Sequence, residues 1–164
     1  MSVSLYGSGN TVIQIQSTTL STSFSSTATG FNNIPGLAVT ITPQSTTSKI
    51  LVIINVHGCG QQSTSNMFYQ LLRNGTAIGN GTASGSGTPC ISYATQAYNA
   101  DNVYNSTINY LDSPATTSAV TYQMQFKNAN SSGSIYINQS QAGTASGVDP
   151  LPSSNITVME IAYA

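Results

Sequence analysis

The chain has 164 residues, which is enough for one domain of ordinary size with its own hydrophobic core. Only 4% of the residues are charged, against roughly 25% in a typical soluble protein. Three cationic side chains cannot supply the positive surface that nucleic acid or an anionic membrane requires, so we expect neither as a partner. Hydroxyls and amides must keep the surface wet instead, since 46 residues are Ser or Thr and 26 are Asn or Gln.

Apolar and polar residues alternate with a period of two in nearly every segment, which predicts an all-β chain. The first two strands, Thr11 to Gln16 and Leu37 to Ile41, have the pattern of half-buried strands, with Ile13 and Ile15 on the apolar face of the first. The segment Lys49 to Val56 is apolar at both parities, which predicts a central strand covered on both faces. Further strands are predicted at 67–73, 91–98, 106–112, 119–127, 134–138 and 155–162.

The linkers at 17–33 and 79–89 are long, as in Greek-key crossovers between two sheets. We therefore expect an antiparallel two-sheet jelly-roll sandwich over residues 11–164. Residues 1–10 form a predicted N-terminal arm, in which Leu5 and Tyr6 are an apolar anchor and the glycine-rich residues 7–10 are a flexible joint. The arm lacks the cationic and apolar regions of a secretory signal, so we expect assembly in the cytoplasm of the producing cell.

The last predicted strand is apolar on both faces except at Glu160. A lone sandwich leaves one face of each sheet in water, so a second apolar face predicts a subunit contact. We expect a homotrimer with Tyr163, Met159 and Ile161 at the interface. Tyrosine suits such contacts because its ring is apolar and its hydroxyl still finds a partner. Exposed aromatic side chains on the strand face are the alternative.

No residue pattern predicts an enzyme, a metal site or a cofactor site. His57 and Cys59 lie two apart on one strand, where they could meet, but no orienting acid is near them in the sequence. The four carboxylates are scattered, without the pairing of acid–base catalysis or the spacing of a calcium loop. Cys59 and Cys90 are either free thiols or a disulfide, and a reducing compartment favours free thiols.

Three charged residues lie where charge is costly: Arg73 and Asp112 end strands, and Glu160 lies inside an apolar one. A buried carboxylate must be paired or neutralised. We expect a structural ion pair in which the planar guanidinium of Arg73 holds Glu160, with backbone amides or Lys49 as the alternative partners. A pocket in which Glu160 binds a ligand is the functional alternative.

Five phrases in order, spanning about residues 12–161, resemble a family of bacteriophage virion proteins abundant in cyanophages. The resemblance implies a jelly roll similar to the trimeric heads of the tumour necrosis factor and complement class, without catalysis or cofactor, and with the last strand in the trimer contact. Members of the family often end a longer fibre chain, whereas here about ten residues precede the domain. The phrases are Gly36-Leu-Ala-Val-Thr-Ile-Thr-Pro43, Ser48 to Val56 with its early lysine, Leu72-Arg-Asn-Gly-Thr76, Tyr110-Leu-Asp-Ser-Pro-Ala-Thr-Thr117 and Asn155-Ile-Thr-Val-Met-Glu-Ile161.

Three functions follow as hypotheses. The favoured one is a trimeric capsid decoration or cement protein on the virion exterior, whose partners are its own copies and the phage major capsid protein. The second is the receptor-binding knob of a tail or head fibre, joined to tail components. The third is a carbohydrate-binding module that recognises a host-surface glycan, since jelly rolls often bind sugars and Tyr98 and Tyr104 flank a loop.

Overall fold

The computed structural model of the protein describes residues 10–61, 65–130, 133–143 and 147–162. These residues form β-strands joined by turns and loops, and they contain no helix that could cross a membrane. The strands are β1 (Thr11–Leu20), β2 (Phe24–Ser26), β3 (Asn32–Ile41), β4 (Lys49–Gly60), β5 (Met67–Arg73), β6 (Thr76–Ile78), β7 (Ser92–Ala94), β8 (Tyr104–Asp112), β9 (Val120–Asn128), β10 (Ile135–Ile137) and β11 (Ser154–Ala162).

The first sheet is built around β4. On one side β4 pairs with β8 along residues 50–58. On the other side it pairs first with β11, along 49–55, and then with β10, along 58–60. The outer edge is formed by β1 beside β11 and by β2 beside β10. The sheet is therefore four strands wide, and every strand pairing in it is antiparallel.

The second sheet has the order β3, β9, β5, with β6 and β7 sharing the far edge of β5. Its strands also pair antiparallel. Asn74 and Gly75 join β5 to β6 in a two-residue turn with φ of 48° and 83°, as a type I′ hairpin requires. Because Asn and Gly tolerate positive φ, this short hairpin has a local sequence cause.

The core lies between the sheets and is filled by one parity of each long strand. Ile50, Val52, Ile54 and Val56 of β4 are fully buried, while the residues between them are only half-buried. The predicted all-β, antiparallel two-sheet sandwich is confirmed, and the arrangement is consistent with a jelly roll. The prediction that β4 is central is also correct, because strands pair with it on both sides, but the single chain covers only one of its two faces completely.

Several predicted boundaries need correction. The predicted linker 17–33 contains the end of β1, all of β2 and the start of β3. The strand predicted at 91–98 is only three residues long as β7, because residues 95–97 turn away to bond with β4 instead. The face predicted for β1 is inverted: Ile13 and Ile15 are exposed, whereas Gln14, Thr18 and Leu20 are turned inward.

Candidate functional site

The outer face of the first sheet carries two rows of apolar side chains, which we call the apolar rows. One row crosses the sheet as Ile15, Met159, Leu51 and Leu111, each residue directly opposite the next. The other row places Val12 opposite Ile161, followed by Lys49. Ile15, Leu111 and Val12 are 55%, 51% and 46% exposed, so the chain alone leaves this patch in contact with water.

The opposite end of the same face is polar and internally bonded. Thr107 donates from Oγ1 to Oδ1 of Asn55 at 2.8 Å, and Asn55 donates from Nδ2 to Oδ1 of Asn155 at 3.5 Å. The Ser17 and Thr157 hydroxyls are 2.9 Å apart in the intervening row. The face thus divides along its strands into an apolar end and a polar end.

Two of the three predicted interface residues lie in the apolar rows. Met159 and Ile161 are half-buried on the outer parity of β11, and Tyr163 lies outside the described residues. Sequence reasoning missed Ile15 and Leu111. The alternation around Ile15 was visible, but alternation alone does not say which parity faces the core.

The buried carboxylate of Asp112 joins the two sheets at one end of the core. Arg73, at the end of β5, donates from its guanidinium to Oδ1 at 2.8 Å, and the Tyr122 hydroxyl on β9 donates to Oδ2 at 2.7 Å. Burial and the adjacent carboxylate raise the pKa of Tyr122 well above its usual range, so its hydroxyl remains a donor. Asp112 itself belongs to β8 of the other sheet, so one residue anchors both layers.

Glu160 is fully buried, and its carboxylate accepts hydrogen bonds from the β3–β4 connection and from β1. The backbone amide of Gln44 donates to Oε1 at 2.7 Å, and the side-chain amide of Gln14 donates to Oε2 at 2.7 Å. Burial raises the pKa of Glu160, but hydrogen bonding, which includes the bonds from Gln14 and Gln44, outweighs burial, so the pKa lies below its usual value. The group is therefore held as a carboxylate.

Arg73 contacts Asp112 rather than Glu160, which corrects the predicted pairing. Glu160 and Asp112 lie on either side of Ile50 in one row across the first sheet. Their backbones are thus two strand spacings apart, roughly 9 to 10 Å. Arg73 reaches only the nearer acid. Lys49 points to the outer face and donates to the Ser113 hydroxyl at 2.7 Å.

The two cysteines are free thiols, and burial raises the pKa of each. Cys59 is fully buried, and burial raises the pKa of its thiol to about 11, so at neutral pH it is protonated and a poor nucleophile. Cys90 is a second free thiol in the 79–91 loop, and burial raises its pKa as well. Among the described residues, no group of three or more His, Cys, Asp or Glu side chains is placed to hold a metal ion.

The two tyrosines predicted as sugar-stacking candidates are brought together. The backbone amide of Tyr98 donates to the hydroxyl oxygen of Tyr104 at 3.3 Å, and both residues line one surface cleft. Tyr98 is 86% exposed, the largest exposed fraction of any large apolar side chain in the described part of the chain.

No protein-family model matches the chain, and no curated protein matches it. Among solved structures it is similar to a chain in "Structure of infectious bursal disease virus Gx strain", at 13% identity and a TM-score of 0.38. That match covers 92% of this chain but only 40% of the viral one. Similarity at this level assigns no function.

Proposed function

We propose that the protein is a structural component of a bacteriophage virion, a homotrimer that decorates the outside of the capsid. The observation that carries the proposal is the pair of apolar rows on the outer face of the first sheet. The resemblance of the sequence to phage virion proteins supports a phage origin. The apolar rows offer a surface through which three copies would associate.

The apolar rows favour association because water is removed from them when copies pack together. A row of four apolar residues across neighbouring strands is contiguous, unlike the scattered exposed side chains of ordinary surfaces. Lys49 lies at the end of the second row, and its amine donates to the Ser113 hydroxyl. Met159 and Ile161 are the proposed contacts at the centre of the apolar rows, with Tyr163 beyond them in sequence.

The low charge of the chain suits a permanent coat. Contacts made by hydroxyls, amides and apolar side chains lose little affinity when salt is high, because few ion pairs are screened. The outer parity of β9 shows this composition, with Thr121, Gln123, Gln125 and Lys127 in succession.

We assign attachment to the N-terminal arm, where Leu5 and Tyr6 are the proposed capsid contacts; both lie outside the described residues. Three arms on one trimer would bind together, so each could bind weakly while the trimer stays attached. The proposed partner is the phage major capsid protein.

Imaging of the purified particle at side-chain resolution, with wild-type protein and with residues 1–9 deleted, tests the proposal. We expect trimers on the capsid exterior in the first case, and bare capsids with folded free trimers in the second. Capsids that stay coated after the deletion would overturn the role of the arm. Normal heads combined with lost adsorption to the host would indicate the alternative, a receptor-binding knob on a tail or head fibre.

A further inference from the structure

A cleft of about 590 Å³ opens at the end of the sandwich where β5 and β8 begin. This volume lies within the range of small-ligand sites. The lining comes from three separated parts of the chain and contains no charged residue: Asn66, Thr95, Gln96, Ala97, Tyr98 and Tyr104. A neutral ligand is therefore favoured over a phosphate, a carboxylate or a cationic one.

The floor of the cleft is held in place by backbone bonds to the end of β4. Gly60 donates to the Thr95 carbonyl at 3.3 Å and accepts from the Ala97 amide at 2.9 Å. The backbone amide of Gln96 donates to Oδ1 of Asn66 at 2.9 Å. Because this segment is already fixed, a ligand need not order it on binding.

The turn that carries both tyrosines is fixed in the same way. The side chain of Asn99 accepts from the Asp101 amide at 3.1 Å, and the side chain of Asn102 accepts from the Asn99 amide at 3.1 Å. A bond from the Ala142 amide to the Ala100 carbonyl, at 2.9 Å, ties the turn to the loop that follows β10. Tyr98 and Tyr104 are thus presented at a defined spacing.

The chemistry of the lining matches a sugar ring. A pyranose has an apolar face of C–H groups, which packs on an aromatic ring, and a rim of hydroxyls that both donate and accept. Tyr98 offers an exposed ring. The side-chain amide of Gln96 and the hydroxyl of Thr95 belong to exposed residues of the same lining. A side-chain amide can both donate to sugar hydroxyls and accept from them, and the Thr95 hydroxyl, which donates to the Gln96 carbonyl at 3.1 Å, can accept.

We propose that this cleft binds a neutral saccharide, which stacks on Tyr98 beside Tyr104 and is bonded by the side chains of Gln96, Thr95 and Asn66. The site is built within a single chain, so it does not depend on the proposed trimer. It would give a virion surface protein a second property, adhesion to uncharged glycans.

The test is an array of neutral and acidic oligosaccharides probed with the full-length protein, followed by titration of the best neutral binder by calorimetry or ligand-observed NMR. We expect binding to neutral sugars and a loss of at least about tenfold in affinity for Tyr98→Ala. The matched control is Tyr93→Ala: Tyr93 is also exposed, at 60%, but it does not line the cleft, so affinity should stay unchanged.

Gln96→Ala provides a second variant that leaves the aromatic rings intact, and we expect it to weaken binding by several fold. Absence of binding to any neutral glycan by the wild-type protein would overturn the proposal. Binding to acidic glycans alone would also overturn it, as would equal losses in the Tyr98→Ala and Tyr93→Ala proteins. The oligomeric state of each variant, measured in parallel, separates these results from a failure of the trimer proposal.

Discussion

The outer faces of the two sheets are built differently. On the second sheet, the outward parity of β9 is polar throughout, and the hydroxyls of Thr40 and Thr121 meet across strands at 2.8 Å. On the first sheet, Met159 on β11 lies in a row with the exposed Ile15 and Leu111. The outward side of β9 is thus polar, whereas the apolar rows of the first sheet leave apolar side chains in water, and we assign the apolar rows to assembly.

The two outer faces exist only while the two sheets stay packed against each other. Asp112 joins the two sheets. Replacing it with Ala strands the guanidinium of Arg73 and the buried hydroxyl of Tyr122. Because Arg73 is one-third exposed, we expect the free energy of unfolding to fall by about 3 to 4 kcal/mol, the lower part of the range for a broken buried pair.

Urea denaturation of the Asp112→Ala protein measures this loss. Asp101→Ala, in an exposed turn, is the control and should change stability by no more than about 0.5 kcal/mol. Equal losses in the two proteins would mean that Asp112 does not join the sheets.

A charge placed in the apolar rows should break assembly without unfolding the subunit. We expect Leu111→Asp to raise the concentration at which the oligomer dissociates at least about thirtyfold, the effect of a single interface anchor. Asn105→Asp is the matched control, because it lies on the same strand and face but about 20 Å away, beyond the polar end. Sedimentation of both proteins over a dilution series checks this, and equal weakening would place the contact elsewhere.

Glu160 lies beneath the apolar rows and makes the first sheet sensitive to acid. Its pKa is lowered in the folded state, so its contribution to stability is complete at neutral pH and is lost as the pH falls from about its ordinary value of 4.5 through the folded pKa. Glu160→Gln should therefore cost about 2 kcal/mol at pH 7 and less below pH 4.

Thermal unfolding of the wild-type and Glu160→Gln proteins between pH 7 and pH 3 tests this linkage. The difference between them should shrink as the pH falls. A difference that stays constant over the whole range would show that Glu160 is not ionised in the folded protein.

The smallest effect is expected on the second sheet. Thr40→Asp introduces the same side chain as the interface variant but beside Thr121, on the polar outer side of β9. Stability should fall by no more than about 1 kcal/mol, from the poor strand propensity of Asp and the lost contact with Thr121, and the oligomer should be unchanged. Dissociation of the oligomer by this variant would make the two outer faces equivalent.

The sequence predicts the strands well where apolar residues are frequent. The prediction that β4 is central rests on apolar residues at both parities, which are typical of a strand covered on both faces. In the single chain its inner parity is fully buried and its outer parity is half-buried. The three-residue strands β2 and β6 are not predicted, because three residues carry too little periodicity. Asn74-Gly75 nevertheless marks the turn before β6.

The candidate sites are harder to predict because they depend on pairing between distant strands. The choice of Asp112 over Glu160 as the partner of Arg73 depends on the register of β4 with β8 and β11. Likewise, the alternation around Ile15 identifies two faces of β1 but not the one that meets the core. Tyr98 and Tyr104 could be singled out in sequence, whereas the floor beneath them comes from contacts with Gly60 that no local pattern reveals.

The mass of the full-length protein in solution shows whether the apolar rows form the subunit contact, because these rows should not remain exposed at micromolar concentration. Analytical ultracentrifugation should give three times the chain mass of 17.0 kDa, about 51 kDa, for the wild-type protein. The Leu111→Asp protein should shift toward 17.0 kDa while keeping its β-sheet circular dichroism. A wild-type protein that sediments as a 17.0 kDa monomer would contradict the assignment of this face to assembly.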